Sequence, residues 1–249
     1  MIEIESRYLA ETPVLHAFPQ GKRETLLPCL IFYHGFTSSS LVYSYFAVAL
    51  AQAGYRVIMP DAPEHGVRFT GDAQWRTWQF WQILQQNMQE FAALRAAAQT
   101  ENWILNERLA VGGASMGGMT ALGIMTRHPE VKCVASLMGS GYFTQLAQTL
   151  FPPSSLETPS QQAEFDKILA PLAEWEVTDQ LTHVANRPLL LWHGQEDDVV
   201  PATESLRLQQ ALSQRGLDKN LTCLWQAGVR HRITPEALAA TVSFFRQHL

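Results

Sequence analysis

The chain has 249 residues, of which 47% are hydrophobic, and a formal net charge of −5. This length and composition predict one α/β domain over residues 1–249 with a full apolar core. The acidic balance excludes a phosphate backbone as an expected partner, and no apolar run is long enough to cross a bilayer, so neither a nucleic acid nor a membrane partner is expected.

Apolar strands alternate with amphipathic helices along the chain, as in α/β proteins. In chain order, the patterns predict strands at 2–8, 14–18, 29–33, 55–59, 109–112, 131–138, 189–192 and 221–225, and helices at 41–53, 75–98, 117–128, 202–215 and 235–247. The first two strands are expected to pair antiparallel. The repeated β-α-β order of the rest predicts a mostly parallel, doubly wound sheet of about eight strands, which binds ligands at the carboxyl ends of its strands.

One segment interrupts this alternation, because residues 141–187 lie where a short connection would suffice. It contains a turn cluster at 152–155 and a helical stripe of apolar residues, Phe165, Ile168, Leu169 and Leu172. We interpret the segment as a small helical cap inserted over the active-site face. The stripe is expected to pack at the mouth of the pocket.

The pentapeptide Gly113-Ala114-Ser115-Met116-Gly117 joins a predicted strand to a predicted helix. This context is typical of a nucleophile elbow, in which a strained turn exposes a serine hydroxyl at the carboxyl end of the sheet. The Met116 N–H, at the helix N-terminus, would point to the same place and stabilise an oxyanion. The pattern therefore predicts Ser115 as a nucleophile.

A serine nucleophile needs a histidine base, and on this scaffold the base follows the acid in the chain. Of the histidines after Ser115, His128 would lie about 20 Å away at the far end of the elbow helix. His193 precedes the candidate acids, His183 lies in the insertion and His248 is penultimate. His231, in a loop between a strand and a helix, remains as the expected base.

The acid is expected in the loop after the strand at 189–192. Three adjacent acidic residues occur there, Glu196, Asp197 and Asp198, and a solvated turn or a helix cap would also explain them. Spacing alone does not separate the three.

Four motifs in this order resemble the α/β-hydrolase superfamily, and in particular its prolyl-oligopeptidase-like and dienelactone-hydrolase-like esterases. They are His34-Gly35-Phe36, the elbow with Gly118, the run from His193 to Pro201, and Gly228-Val229-Arg230-His231. The resemblance extends over about residues 27–249. It implies that Asp197 is the acid and that the Phe36 N–H is a second oxyanion donor. Dienelactone hydrolases use a cysteine nucleophile, so Ser115 argues against that activity.

Other side chains have structural and functional interpretations. His34 is expected mainly to hold the oxyanion loop, although it is also a candidate for substrate contact. Trp75 and Trp78 follow the loop 60–72, so they either join the core or touch substrate. No metal-binding spacing occurs, and neither a metal nor an organic cofactor is expected. The three cysteines are expected to be buried free thiols in a cytoplasmic protein, because the N-terminus also lacks the bases of a signal peptide.

The sequence thus predicts a serine carboxylesterase that acts on short-chain, small-molecule esters through Ser115, His231 and Asp197. Three alternatives remain. An aminopeptidase or acylaminoacyl-type hydrolase would use the same three residues, a transferase would form the same acyl-enzyme, and a ligand-binding relative would not react at all. The expected pocket shape, and with it the substrate, depends on the insertion and the tryptophan-rich helix.

Overall fold

The computed structural model describes residues 1–152 and 158–249. Its strands form one eight-stranded sheet in the order β1-β2-β4-β3-β5-β6-β7-β8. The strands are β1 (Ile2–Leu9), β2 (Thr12–Pro19), β3 (Leu27–Tyr33), β4 (Arg56–Pro60), β5 (Ile104–Ala114), β6 (Val134–Leu137), β7 (Leu189–Gly194) and β8 (Leu221–Gln226). The α/β-hydrolase fold expected from the sequence is confirmed.

Pairing in the sheet follows the expected division between its two ends. β2 is antiparallel to both β1 and β4, whereas every pair from β4 to β8 is parallel. The parallel strands β3 and β4 are buried along almost their whole length, as sheets covered on both faces require. Because β3 to β8 are parallel, their carboxyl ends lie at one edge of the sheet, and the site residues lie at that edge.

Helices cover both faces of the sheet. They are α1 (Ser44–Gln52), α2 (Ala73–Trp78), α3 (Phe80–Thr100), α4 (Met116–Arg127), α5 (Phe143–Leu146), α6 (Pro159–Leu169), α7 (Leu181–Ala185), α8 (Thr203–Gln214) and α9 (Pro235–His248). Short 3₁₀ turns occupy Gly66–Arg68 and Ala170–Trp175. No helix within the described ranges is both long enough and apolar enough to cross a membrane.

The helix predicted at 75–98 is wrong as a single element. The chain forms α2 and α3, and Gln79 separates them with φ −90° and ψ 6°. A continuous helix would place Trp78 and Trp81 on one stripe, since they are three residues apart. The break instead leaves Trp78 44% exposed while Trp81 is 1% exposed, so only the second tryptophan joins the core.

The helix predicted at 41–53 begins later, at Ser44. Leu41 and Val42 lie before it in a turn, where the Ser39 hydroxyl accepts the Val42 N–H, and both side chains are exposed. The strand predicted at 131–138 is shorter, and the one at 109–112 extends to Ile104–Ala114.

The segment 141–187 contains α5, α6, one 3₁₀ turn and α7. Most of the turn cluster predicted at 152–155 falls outside the described residues. Phe165, Leu169 and Leu172 are buried in one apolar cluster with Phe80, Trp81 and Met116. The expectation that this stripe packs at an open pocket mouth is therefore wrong, because its residues are enclosed between the insertion and the body of the domain.

Candidate active site

The elbow predicted around Ser115 connects β5 to α4. Ser115 has φ 57° and ψ −119°, a left-handed conformation that a residue with a side chain rarely adopts. A Cβ on Gly113 would lie 2.2 Å from the Gly117 carbonyl oxygen, and one on Gly117 would lie 2.1 Å from the Tyr33 oxygen. Both glycines are needed because the turn presses α4 against β3 and β5.

Three polar side chains meet at the carboxyl ends of the strands. The Ser115 Oγ lies 2.8 Å from His231 Nε2, and His231 Nδ1 lies 2.7 Å from Asp197 Oδ2. His231 comes from the loop after β8, and Asp197 from the loop after β7. A Cβ on Gly194 would come within 2.4 Å of the Val229 oxygen, so the glycine that ends β7 lets the histidine loop approach.

The Asp197 side chain is buried, yet its carboxylate is well supplied with donors. Burial alone would raise its pKa, but hydrogen bonds from His193, His231 and the Val199 N–H hold the pKa of Asp197 well below its usual range. The Val199 and Val200 N–H groups both donate to Oδ1 at 2.9 Å. The carboxylate therefore remains ionised beside the imidazole.

The neighbouring acids are placed differently. Asp198 is solvent-exposed and pairs with Arg230, and this ion pair lowers the pKa of Asp198. Glu196 is also exposed, and its N–H donates to the Val229 oxygen. Asp198 also accepts a hydrogen bond from the His231 backbone, whereas the Asp197 carboxylate contacts the His231 ring.

The expected oxyanion donors lie on either side of Ser115. Met116 is the first residue of α4, where helix N–H groups have no acceptor in the preceding turn. Phe36 follows Gly35, whose backbone runs so close to the elbow that a Cβ there would be 3.5 Å from the Ser115 Cβ. The loop 34–37 and the start of α4 thus flank the serine.

His34 and its neighbour His65 hold the loop 34–37 through hydrogen bonds to backbone groups. His34 is 1% exposed, and its Nδ1–H donates to the Gly35 oxygen at 2.8 Å while its Nε2 accepts the Ala62 N–H at 3.1 Å. His65 donates in the same way to Pro63 and accepts the Thr37 N–H. Both ring nitrogens of His34 are bonded to backbone groups, so the expectation of substrate contact is corrected in favour of its structural alternative.

Burial also fixes the charge of these two rings. Desolvation lowers the pKa of His34 and lowers that of His65 to about 4, so both are neutral near pH 7. Neutrality is required, because a protonated Nε2 could not accept a backbone N–H. The sequence places His65 in the segment 61–68, which resembles the hydrolase loop whose Asp, His-Gly and Arg fix the rim of the site, and the bonds of its ring agree with that structural role.

A cluster of aromatic side chains packs against the loop 34–37. The Phe36 ring lies 4.9 Å from that of Phe80 and 5.2 Å from that of Phe151, and the Arg76 guanidinium lies 5.8 Å from the Phe36 ring centroid. Phe151 belongs to the insertion, so the insertion reaches the loop beside Ser115. Trp75 and Trp78, on the same short helix as Arg76, are 48% and 44% exposed and do not join the core.

A second histidine, which the sequence did not single out, contacts the acid. His193 is completely buried at the end of β7, and its Nε2 lies 3.2 Å from Asp197 Oδ2. Its position four residues before Asp197 was visible, but a strand terminus gives no indication of where a ring points. Because His193 precedes the candidate acids in the chain, it was excluded as the base, and no other role was considered for it.

On its outer side His231 borders a cavity of about 540 Å³, which Arg230, Arg232 and Val199 also line. Within residues 1–152 and 158–249, no group of three or more His, Cys, Asp or Glu side chains is arranged to hold a metal ion. The arrangement can activate a hydroxyl, orient an imidazole and bind a developing oxyanion.

Comparison with known proteins agrees with this fold. A model of the prolyl oligopeptidase family matches residues 42–249. The chain belongs to this family and is an enzyme of the α/β-hydrolase class. Among curated proteins it is similar to Esterase YjfP of Escherichia coli (strain K12), with 73% identity over 249 residues that cover 100% of both chains.

Solved structures share the fold at lower identity. TT1662 from Thermus thermophilus has a TM-score of 0.77 at 21% identity, with 99% of this chain and 98% of that one covered. A puromycin-hydrolyzing peptidase of Mycobacterium tuberculosis has a TM-score of 0.73 at 20% identity, with 99% of this chain and 39% of that one covered. At these identities the likeness establishes the fold alone.

Proposed function

We propose that the protein is a serine carboxylesterase that hydrolyses short-chain esters of small molecules. The observation that carries the proposal is the unbroken chain of contacts from the Ser115 Oγ through His231 to Asp197, at 2.8 Å and 2.7 Å. The full-length similarity to a protein named as an esterase supports the same substrate class. No metal or organic cofactor takes part in the proposed reaction.

In the first half of the reaction the Ser115 Oγ attacks the ester carbonyl carbon while His231 Nε2 takes the hydroxyl proton. The resulting oxyanion accepts hydrogen bonds from the Phe36 and Met116 N–H groups. When the intermediate collapses, the C–O bond to the alcohol breaks and His231 returns the proton to the leaving oxygen. Asp197 keeps His231 in the tautomer that carries hydrogen on Nδ1 and stabilises its imidazolium.

In the second half a water molecule attacks the acyl-enzyme. His231 accepts a proton from the water, and the bond between the acyl carbon and Ser115 Oγ then breaks. The proton passes back to Ser115 as the carboxylic acid leaves. Atoms balance as one ester and one water giving one acid and one alcohol.

The preference for short acyl groups is supported by the closed surroundings of the oxyanion loop. Phe36, Phe80 and Phe151 pack with ring centroids 4.8–5.2 Å apart. The apolar stripe of the insertion is buried next to Met116 rather than lining an open groove. Trp75 and Trp78 are proposed to contact the substrate at its outer end, because they are exposed on the helix that carries Arg76.

We place the enzyme in the cytoplasm as part of the same proposal. Cys29, Cys133 and Cys223 are free thiols; the first two are buried, which raises their pKa to about 12, whereas Cys223 is half-buried and not fully buried as expected. Protonated, enclosed thiols are inert and are typical of a reducing compartment.

Residues 1–249 are proposed to act as one domain with residues 141–187 as its cap.

A peptidase is the second candidate, because the matched family is named for an oligopeptidase. It would use the same three residues. The two are separated by kcat/KM for a series of p-nitrophenyl acetate, butyrate and octanoate esters beside aminoacyl p-nitroanilides. We expect turnover of the acetate and butyrate esters to exceed that of every anilide, and a preference for an anilide would reverse the assignment.

A further inference from the structure

Beyond Asp197, the contacts that begin at Ser115 continue into the interior through two more side chains. His193 Nε2 lies 2.9 Å from the Val200 oxygen and 3.2 Å from Asp197 Oδ2. On the other side of the ring, Nδ1 lies 2.8 Å from Ser205 Oγ, which in turn lies 3.2 Å from the Gly139 oxygen. His193 is 0% exposed and Ser205 is 2% exposed, so water does not compete for these bonds.

The acceptor at Val200 fixes the hydrogen on His193. A carbonyl oxygen can only accept, so Nε2 must carry a hydrogen, and that N–H points between the Val200 oxygen and the carboxylate. Asp197 Oδ2 consequently faces two imidazole N–H groups, that of His231 at 2.7 Å and that of His193 at 3.2 Å. The two rings contact the same carboxylate oxygen.

We propose that His193, oriented by Ser205, is a positioning residue for the reaction: its Nε2–H fixes Asp197 in the orientation that the His231 ring requires. The inference rests on the proposed function, in which His231 is the base. Val199 and Val200 N–H groups hold Oδ1 of the carboxylate, and His193 holds the Oδ2 atom that His231 also uses. Without it, Oδ2 keeps a single donor and the carboxylate can rotate.

The contact also limits how strongly Asp197 attracts the proton of His231. A carboxylate that shares its charge between two donors binds each less tightly. Loss of the His193 donor should therefore concentrate the carboxylate charge on the remaining donor and move the acid limb of the rate profile to higher pH. Other charged groups near this cluster in the described residues include the exposed Glu196, the exposed Asp198–Arg230 pair, Arg232, and Glu204, which accepts from Ser140.

Two amides separate positioning from packing, because each replaces one ring nitrogen. The Gln amide nitrogen in His193→Gln can take the place of Nε2 and donate to Val200 and Asp197. The Asn amide nitrogen in His193→Asn can take the place of Nδ1 and reach only Ser205. The two variants bury similar polar groups, and they differ in whether the donor to Asp197 is kept.

The experiment measures kcat/KM for p-nitrophenyl acetate from pH 5 to 9, with melting temperature and the rate of labelling by a serine-directed fluorophosphonate. His193→Gln is expected to stay within about threefold of wild type with an unchanged profile. His193→Asn is expected to lose about 10- to 100-fold, mainly in kcat, as loss of a supporting contact typically does, and its acid limb should rise by about half a pH unit. The proposal is overturned if both variants keep near-wild-type kcat/KM, or if both lose it to the same extent.

Ser205→Ala guards against a His193→Asn protein that does not fold. It keeps both imidazoles and frees the His193 ring, so a smaller loss of about 2- to 10-fold with the same upward movement of the acid limb is expected. An unchanged profile in folded Ser205→Ala protein contradicts the proposal. If wild type labels on Ser115 but hydrolyses no ester, the esterase assignment fails, while the labelling rates of the variants still decide the role of His193.

Discussion

Each side chain of the site does a task that its local bonds determine. We propose Asp197 as the acid because its carboxylate is buried, ionised and 2.7 Å from His231 Nδ1, whereas Asp198 is exposed and bonded to Arg230. The sequence offered three acids in a row, and only the path of the loop after β7 separates them. Resemblance to a family identified the residue that spacing could not.

Replacing Asp197 with Asn should lower kcat for p-nitrophenyl acetate by about 10³–10⁴-fold, because an amide favours the wrong imidazole tautomer. Asp198→Asn is the matched control. It removes a surface ion pair, which contributes little, and its amide oxygen can still accept the His231 backbone N–H, so its kcat should stay within about tenfold of wild type. If Asp198→Asn is the inactive variant, the assignment of the acid is incorrect.

At the scale of elements, the elbow shows how close packing dictates sequence. The first turn of α4 at Gly117 runs against β3 with a Cβ-to-oxygen approach of 2.1 Å, whereas nothing lies within 4 Å of a Cβ on Gly216, whose φ is 66°. The two glycines are therefore needed for different reasons, one for space and the other for backbone conformation.

Gly117→Ala should cost about 3 kcal/mol or more of unfolding free energy, since backbone must shift. Gly216→Ala, strained only by its φ, should cost about 1 kcal/mol. Urea denaturation of both variants measures the difference. Equal costs would mean that the elbow yields easily and that its geometry does not require glycine.

The insertion contains two kinds of aromatic side chain. Phe165 is 1% exposed within the body of the domain, while Phe151 is half-buried against the Phe36 ring beside the oxyanion loop. A single segment thus supplies both core packing and a wall close to Ser115.

We expect Phe151→Ala to change the ratio of kcat/KM for butyrate over acetate esters by about 3- to 30-fold, the range that one or two methylenes contribute in an apolar pocket. Phe165→Ala should instead lower stability by about 3–5 kcal/mol and leave that ratio nearly constant. A flat ratio in Phe151→Ala with a shifted one in Phe165→Ala would reverse these assignments.

For the molecule as a whole, alternation of strands and helices was sufficient to predict a mostly parallel sheet with an antiparallel start. Periodicity is a local property, so it located buried strands such as β3 and β4 well. Periodicity could not locate the break at Gln79, because the residues on both sides of it are helical. Only the burial of Trp81, which folding determines, distinguishes α3 from α2. The contact of His193 with Asp197 was also beyond the reach of periodicity, since the histidine's partners Asp197, Val200 and Ser205 are brought together only by folding.

Neutral buried histidines should also shape stability against pH. The pKa values of His16 and His65 are lowered to about 4 by burial, below their ordinary value of 6.5. Between pH 6.5 and 4 the unfolded chain binds protons that the folded chain does not, so stability must fall as pH falls through this window. Each group contributes at most about 1.4 kcal/mol per pH unit.

Denaturation at pH 7 and 5 measures this dependence, and His16→Gln is the informative variant. His16 donates to Glu5 and accepts from Arg56 in its neutral form. A Gln amide does not titrate, and its oxygen in the place of Nε2 can still accept from Arg56, so the loss of unfolding free energy between the two pH values should be smaller in His16→Gln than in wild type. An identical loss in both proteins would mean that His16 is not the linked group.

The central claim is that Ser115 is the nucleophile of a serine hydrolase. The most direct measurement is incubation with a fluorophosphonate, followed by mass mapping of the adduct, with turnover of p-nitrophenyl acetate measured in parallel for wild type and Ser115→Ala. We predict one adduct, on Ser115, in the wild type and no adduct in the variant. The kcat of the variant should fall to a residual rate only about 10³–10⁴-fold above the uncatalysed reaction in water. An adduct on another residue, or more than a tenth of wild-type activity in Ser115→Ala, would contradict the account.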